Sequence, residues 1–416
     1  MYRLQRQLSS SYNREKLAVN SKLRETELSL WRIFATCVLL LSLGGCSWLG
    51  GLFGDEEEVL EPAPLLDFQS ETKVKRAWSA SVGSGQGKKY NELNPALYGD
   101  FIYAAGEDGV VAAFSAESGR KIWRQKLGES LSGGVGVSEG LVLLGTPDGE
   151  VIALTRSEGR YVWRATVTSE VLAAPASDDS VVAVQTFDGR LYGLDADNGA
   201  ELWRYDSSLP VLTIRGTAAP QIEAGQVYAA FASGKIVALD VTTGTLLWEA
   251  RLAIPQGQSE IERIVDIDGK PLMLGGSIYA ASYQGRVGGI QRSTGRPTWL
   301  REASSYGRVA EGFGNLYVSE AGGEVIALDL ESGTPKWQQP ELLLRREPGS
   351  PVAFSSWVAI ADLEGYIHLL SQVDGRQVGR IRADSSGVRA EMLARGNLLY
   401  VYGNGGKLTA YTVTAR

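Results

Sequence analysis

An all-β fold, an eight-bladed β-propeller of four-stranded antiparallel blades, is predicted for residues 71–416 by three observations. One unit repeats about every 42 residues, its apolar runs are rich in β-branched side chains, and an extra Trp, Trp78, lies just ahead of the first unit. The unit is a Gly-closed turn, five or six mostly apolar residues, a second Gly-closed turn ten residues on, and Trp four residues later. Its first copy is Asp108-Gly109, Ser118-Gly119 and Trp123. The marks return at Gly149, Gly159 and Trp163, at Gly189, Gly199 and Trp203, and at Gly234, Gly244 and Trp248. They continue at Gly285, Gly295 and Trp299, and at Gly323, Gly333 and Trp337. A seventh copy keeps Gly365 and Gly375 but has Gly379 in place of Trp, and an eighth begins at Gly406.

That period suits a four-stranded blade, and the Asp-Gly, Asn-Gly and Ser-Gly pairs supply the positive φ that tight hairpin turns require. Runs such as Lys235-Ile236-Val237-Ala238-Leu239-Asp240 are nearly continuous in apolar residues, as expected of strands covered on both faces. Trp78 has no unit of its own, and the eighth unit lacks a Trp-bearing strand. Circular closure accounts for both: the strand around Trp78 completes the blade begun by Leu408 to Val413 and removes the exposed edges of an open ring. Seven of the ten tryptophans then occupy equivalent positions as wedges between blades.

Ahead of the repeats, Ile33 to Leu43 form a mostly apolar run of eleven residues, preceded by Arg32 and followed by small residues. This is the layout of a secretory signal peptide, and it is too short for a spanning helix. The run ends in Leu43-Gly44-Gly45-Cys46, which resembles the lipobox of bacterial lipoproteins. The resemblance implies that residues 1–45 are a lipoprotein signal peptide and that Cys46 is the acylated first residue of the mature chain. Ser47 in the following position implies sorting to the outer membrane. About thirty residues precede the apolar run, which makes Val19 and Leu23 candidate starts. Residues 46–70, with the run Asp55-Glu56-Glu57-Glu58 and two prolines, read as an acidic tether.

Composition narrows function. Residues 1–45 hold seven Lys/Arg and three Asp/Glu, so 34 basic and 45 acidic residues remain from Cys46 onward, a net of −11. A body of that charge argues against nucleic acid as partner. Two cysteines and the lone His368 exclude a cysteine-ligated zinc site, an iron–sulfur cluster and any chemistry that needs two histidines. His368 falls inside a strand of unit seven and reads as a packed side chain. Gly83-Ser84-Gly85-Gln86-Gly87-Lys88-Lys89 lacks the first glycine and the Ser/Thr of a phosphate loop and reads as a polar loop. No catalytic residue, cofactor or metal site is expected.

The stretch Val237-Ala238-Leu239-Asp240-Val241-Thr242-Thr243-Gly244 through Trp248 resembles the tryptophan-docked repeat of quinoprotein dehydrogenases. That likeness concerns the scaffold. It leaves a degenerate quinoprotein-type dehydrogenase, or a ligand-binding propeller using the axial funnel, as the alternative reading.

A lipobox followed by eight such units resembles the propeller lipoproteins of the machinery that assembles β-barrels in the bacterial outer membrane. Leu212-Thr213-Ile214-Arg215-Gly216, and Glu260-Ile261-Glu262-Arg263 running to Asp266-Ile267-Asp268, are similar to that family's paired loops. The resemblance implies a non-enzymatic scaffold on the periplasmic face of the outer membrane. It would dock the POTRA domains of BamA through Leu212, Ile214 and Arg215 of one loop and Asp266 and Asp268 of the other, and engage unfolded outer membrane proteins. Ile214 stands where the family more usually has Leu, which keeps the apolar volume.

Spacing points to the same place. Steps between first-turn glycines are 40, 40, 45, 51, 38, 42 and 41 residues. The two long steps are consecutive, so the extra residues fall in equivalent connections of adjacent blades, side by side on one face.

Overall fold

Each repeat folds as a meander of four antiparallel strands, and eight such sheets follow one another along the chain. The computed structural model describes residues 61–416 except 88–90, 215 and 341. Residues 1–45, Cys46, most of the expected tether and Arg215 therefore lie outside the described residues. Pro62–Arg416 form one compact unit.

Blade 1 shows the pattern: Ala96–Tyr98 innermost, then Phe101–Ala105, Val110–Ser115 and, outermost, Lys121–Lys126. The two middle strands of a blade are covered on both faces, which is why Val181–Gln185 is buried throughout, whereas the outermost strand Glu201–Asp206 buries chiefly Trp203. Blades 2 to 7 follow in chain order up to Arg382. Blade 8 takes Leu393–Arg395, Leu398–Tyr402 and Lys407–Ala415 from the C-terminal end, and Thr72–Ser81 as its outermost strand. Trp78 pairs with Ala410, so the expected closure by the N-terminal strand is observed.

The tryptophans dock as wedges. Trp78 donates its indole N–H to the Ala116 carbonyl at 3.0 Å, Trp123 to Arg156 at 2.9 Å and Trp203 to Val241 at 2.8 Å. Trp163, Trp248, Trp299 and Trp337 make the same bond to the following blade. In every blade the register shifts by one residue beside this position, a bulge that turns the outer strand's side chain toward its neighbour. The second-turn glycine of the next blade lies under the indole. Gly244 has φ +67, and a Cβ there would sit 2.6 Å from the Trp203 ring.

The same geometry explains why unit seven has Gly379 instead of Trp. Strands three and four of blade 8 come from opposite ends of the chain, so blade 8 has no covalent second turn to cover. Thr72 fills the space, and a Cβ on Gly379 would lie 2.2 Å from its hydroxyl. The core consequently runs around the ring in clusters that bridge neighbouring blades, such as Ile102, Val110 and Phe114 of blade 1 with Tyr400, Tyr402 and Leu408 of blade 8.

Two features were not legible in the repeat. Blade 2 carries a fifth strand, Glu92–Leu93, parallel to Gly133–Val137 on its axial edge. In addition, part of the segment expected to serve as tether is bonded along blade 7: Ala63 N–H donates to Leu344 O, and Glu71 N–H to Val378 O.

Candidate docking site

In an antiparallel meander, the turn between strands two and three and the connection to the next blade emerge at the same end. All interblade connections therefore share one face of the ring. The connections 207–220, between blades 3 and 4, and 252–271, between blades 4 and 5, are the two insertions that the repeat spacing singles out, and they lie on that face.

The structure brings them together. Asp266 is 1% exposed, and its Oδ2 accepts the Ile214 backbone N–H. Its own carbonyl accepts from Tyr283 N at 2.8 Å, which ties the second loop to blade 5. Gly216 lies against Asp268; a Cβ there would fall 2.7 Å from the Asp268 Cγ. Beneath both loops Ile267 packs with Ala218, Ala230 and Leu252 in the core between blades 4 and 5. A cap within the second loop, where Glu262 Oε2 accepts from Gln258 N at 2.7 Å and Ser259 N at 3.1 Å, holds the Glu262 carboxyl below its ordinary range.

The expected site residues divide by depth. Leu212 is exposed, Ile214 is half-buried with its N–H bonded to Asp266, and Asp266 and Asp268 are both buried behind the loop surface. The two aspartates thus position the first loop from below. Burial pushes the Asp266 carboxyl up to about 6, against the Ile214 N–H bond, which lowers it. Asp268 is pushed up to about 8, by burial first and then by the charge of Asp266.

Among the polar residues that the clamp exposes stand several large apolar ones. Val211 is 80% exposed and Ile261 66% exposed, and Leu209, Leu212 and Ile254 are exposed with them. Beside them, Tyr283 in a turn of blade 5 and Tyr306 in the connection from blade 5 to blade 6 stack with ring centroids 4.5 Å apart. Sequence reasoning missed Val211, Ile261 and this aromatic pair. The available signal was large apolar residues inside an insertion that no repeat position requires to be buried.

The axial region carries the extra strand of blade 2 and a set of buried polar contacts. Leu93 is fully buried, Val135 N–H donates to Asn94 O at 2.7 Å, and Asn94 Oδ1 accepts from Glu391 N at 2.8 Å. Glu391 is itself ion-paired with Arg308 at 3.1 Å. Glu92 is pushed well above its ordinary range by burial and by Asp268 and Glu391. The strand Glu92–Leu93 thus occupies the axial edge of blade 2, and the Glu391 carboxylate, from the connection between blades 7 and 8, is engaged by Arg308. The glycine-rich stretch near Gly85 is structural: Gly85 O accepts from Glu107 N, and Gln86 N–H donates to Asn404 O. His368 is fully buried, its Nε2 3.0 Å from Asp362 Oδ2 and its Nδ1 3.1 Å from Gln377 Nε2.

Fold and site together define a tryptophan-docked, eight-bladed propeller that presents a clamped loop pair on one face. Residues 107–339 match the profile of the family described as outer membrane protein assembly factor BamB. The BamB of Pseudomonas aeruginosa is 58% identical over 383 residues, covering 92% of this chain and 99% of that protein. The Escherichia coli BamB is 35% identical, covering 89% and 96%. The crystal structure of BamB from Moraxella catarrhalis superposes with a TM-score of 0.75 at 28% identity, covering 82% of this chain and all of that one. A quinohemoprotein alcohol dehydrogenase from Comamonas testosteroni shares the fold alone, with a TM-score of 0.61 at 14% identity. The chain belongs to the BamB family of outer membrane protein assembly factors.

Proposed function

We propose that this chain is a non-enzymatic scaffold of outer membrane β-barrel assembly, which docks the periplasmic POTRA domains of BamA and aids folding and insertion of barrel proteins. The observation that carries the reading is the loop pair: apolar Val211, Leu212, Ile254 and Ile261 project from two insertions locked together by Asp266. Exposed apolar anchors on a pre-ordered support are what a protein interface needs, since little loop entropy is lost on binding. Arg215 adds a cation between Ile214 and Gly216. Membership of the assembly-factor family supports the partner, and the lipobox at Cys46 supports a lipidated protein held at the periplasmic face of the outer membrane. Contact with unfolded barrel strands belongs to the same reading.

The test is capture of the BamA periplasmic domains by the mature protein, with circular dichroism to verify the fold. Leu212→Ser and Arg215→Glu are each expected to weaken capture by about thirtyfold, the equivalent of losing ~2 kcal/mol at a hot spot. Asp266→Asn, which keeps an acceptor for Ile214 N–H, is expected to bind, and Asp266→Leu is not. Undiminished capture by both Leu212→Ser and Arg215→Glu sinks the loop-pair site; no capture by wild type sinks the partner.

A further inference from the structure

Arg346, in the connection between blades 6 and 7, is the largest fully buried side chain among the described residues. Its Nε donates to Asp362 Oδ2 at 2.8 Å and its Nη2 to Glu364. Asp362 is held in turn by the N–H groups of Glu364 and Tyr366 and by His368. A guanidinium locked on two carboxylates has its remaining donors fixed in direction. Its Nη1 points out of blade 7 and donates to Ala63 O at 2.7 Å, while Ala63 N–H donates to Leu344 O at 3.1 Å.

The contact continues down the outermost strand of blade 7, Gln377–Arg382. Arg380 donates to Leu66 O at 3.0 Å and lies 5.3 Å from the Phe68 ring centroid. Arg376 grips Glu71 through two bonds of 2.9 and 2.8 Å. Residues 63–71 are therefore a strap crossing blade 7 from one face of the ring to the other, and its upstream end lies on the face that carries the docking loops. Around that end the rim exposes Leu344 and Leu363, with Arg345 beside them.

We propose that the Arg346 clasp is the point from which the propeller hangs: it makes the tether leave at the rim of blade 7, on the docking-loop face, and turns that rim toward the bilayer. The proposal rests on the reading of Cys46 as the lipid-bearing residue. Chain length selects the bilayer as the neighbour of this rim. Ala63 is seventeen residue steps from Cys46, so that rim can stand at most roughly 60 Å from the membrane surface, against roughly 90 Å for the twenty-six steps to Thr72 if the strap were free. The docking loops lie two to three blades round the ring on the same face, clear of the suspended rim.

The experiment uses the mature acylated protein in phosphatidylethanolamine–phosphatidylglycerol vesicles. A single fluorophore is placed at Leu363→Cys in blade 7 or at Asp148→Cys in the matching turn of blade 2, and energy transfer to labelled headgroups is compared. Greater transfer from position 363 is expected, with the difference lost in Arg346→Met. The double variant Phe68→Ala/Arg380→Ala loosens the strap without touching the buried network. Hydrogen exchange at Ala63 and Glu71 reports in each variant whether the strap is released. Equal transfer from both labels in wild type, or a difference that survives strap release, overturns the suspension while the docking function stands. A mass for the mature chain without acyl groups on Cys46 overturns the anchor reading and the suspension together.

Discussion

Asp266 and Asp268 show how one residue type takes two roles in this chain. Aspartates of the repeat close turns, and Asp240, which accepts from Thr243 N and Thr242 N, is held below its ordinary range by those bonds. Asp266 and Asp268 are instead buried, and their carboxyls are raised. A carboxyl whose proton is held more tightly in the folded than in the unfolded chain stabilises fully below the ordinary carboxylate range, and this contribution is lost as pH rises through the folded values, about 6 and about 8. Thermal unfolding should therefore show stability falling between pH 4 and 8. Asp268→Asn should flatten the fall and gain several kcal/mol at pH 8, since one unit of pKa difference is worth ~1.4 kcal/mol and the carboxyl is raised from 3.8 to about 8. A variant with the wild-type pH profile would show that Asp268 ionises freely.

At the scale of the element, the docked indole and the glycine beneath it form the joint between blades. Two glycines of similar backbone separate the effects of conformation and contact. Gly225, at φ +75, has nothing within 4 Å of a built Cβ, while Gly244, at φ +67, has the Trp203 ring at 2.6 Å. Gly225→Ala should cost about 1 kcal/mol for its left-handed backbone alone. Gly244→Ala should cost about 3 kcal/mol, because the indole must also move out of a packed junction. Urea denaturation measures both, and equal losses would mean that the wedge is not tightly seated.

The whole molecule depends on a ring closed without a covalent joint. Thr72–Ser81 pairs with Lys407–Ala415 over nearly its full length, and Trp78 docks on blade 1. Removing residues 72–81 exposes the Lys407–Ala415 edge and strips the junction of its wedge. The truncated protein is expected to unfold at least 10 °C lower and to self-associate at micromolar concentration, a severity set by the number of paired residues lost. Size-exclusion chromatography with calorimetry measures both, and a monomer of unchanged melting temperature would mean that closure contributes little. The proposed suspension by the Arg346 clasp and the proposed docking by the loop pair belong to this same scale, since both concern how the ring is presented.

Much of this architecture is determined by the sequence alone. Glycines at fixed separations demand turns, a period of about 42 residues demands four strands, and one surplus Trp demands closure; each constraint is local and repeats in register, so it survives without coordinates. The adjacency of the two insertions follows from the same counting. Three things were decided only by tertiary structure: the burial of Asp266 and Asp268, the strand Glu92–Leu93 on the axis, and the strap held by Arg346. None belongs to the repeat. Each depends on segments far apart in the chain meeting once, at a place where desolvation and an unpaired backbone group must both be answered, and no periodicity records such a meeting.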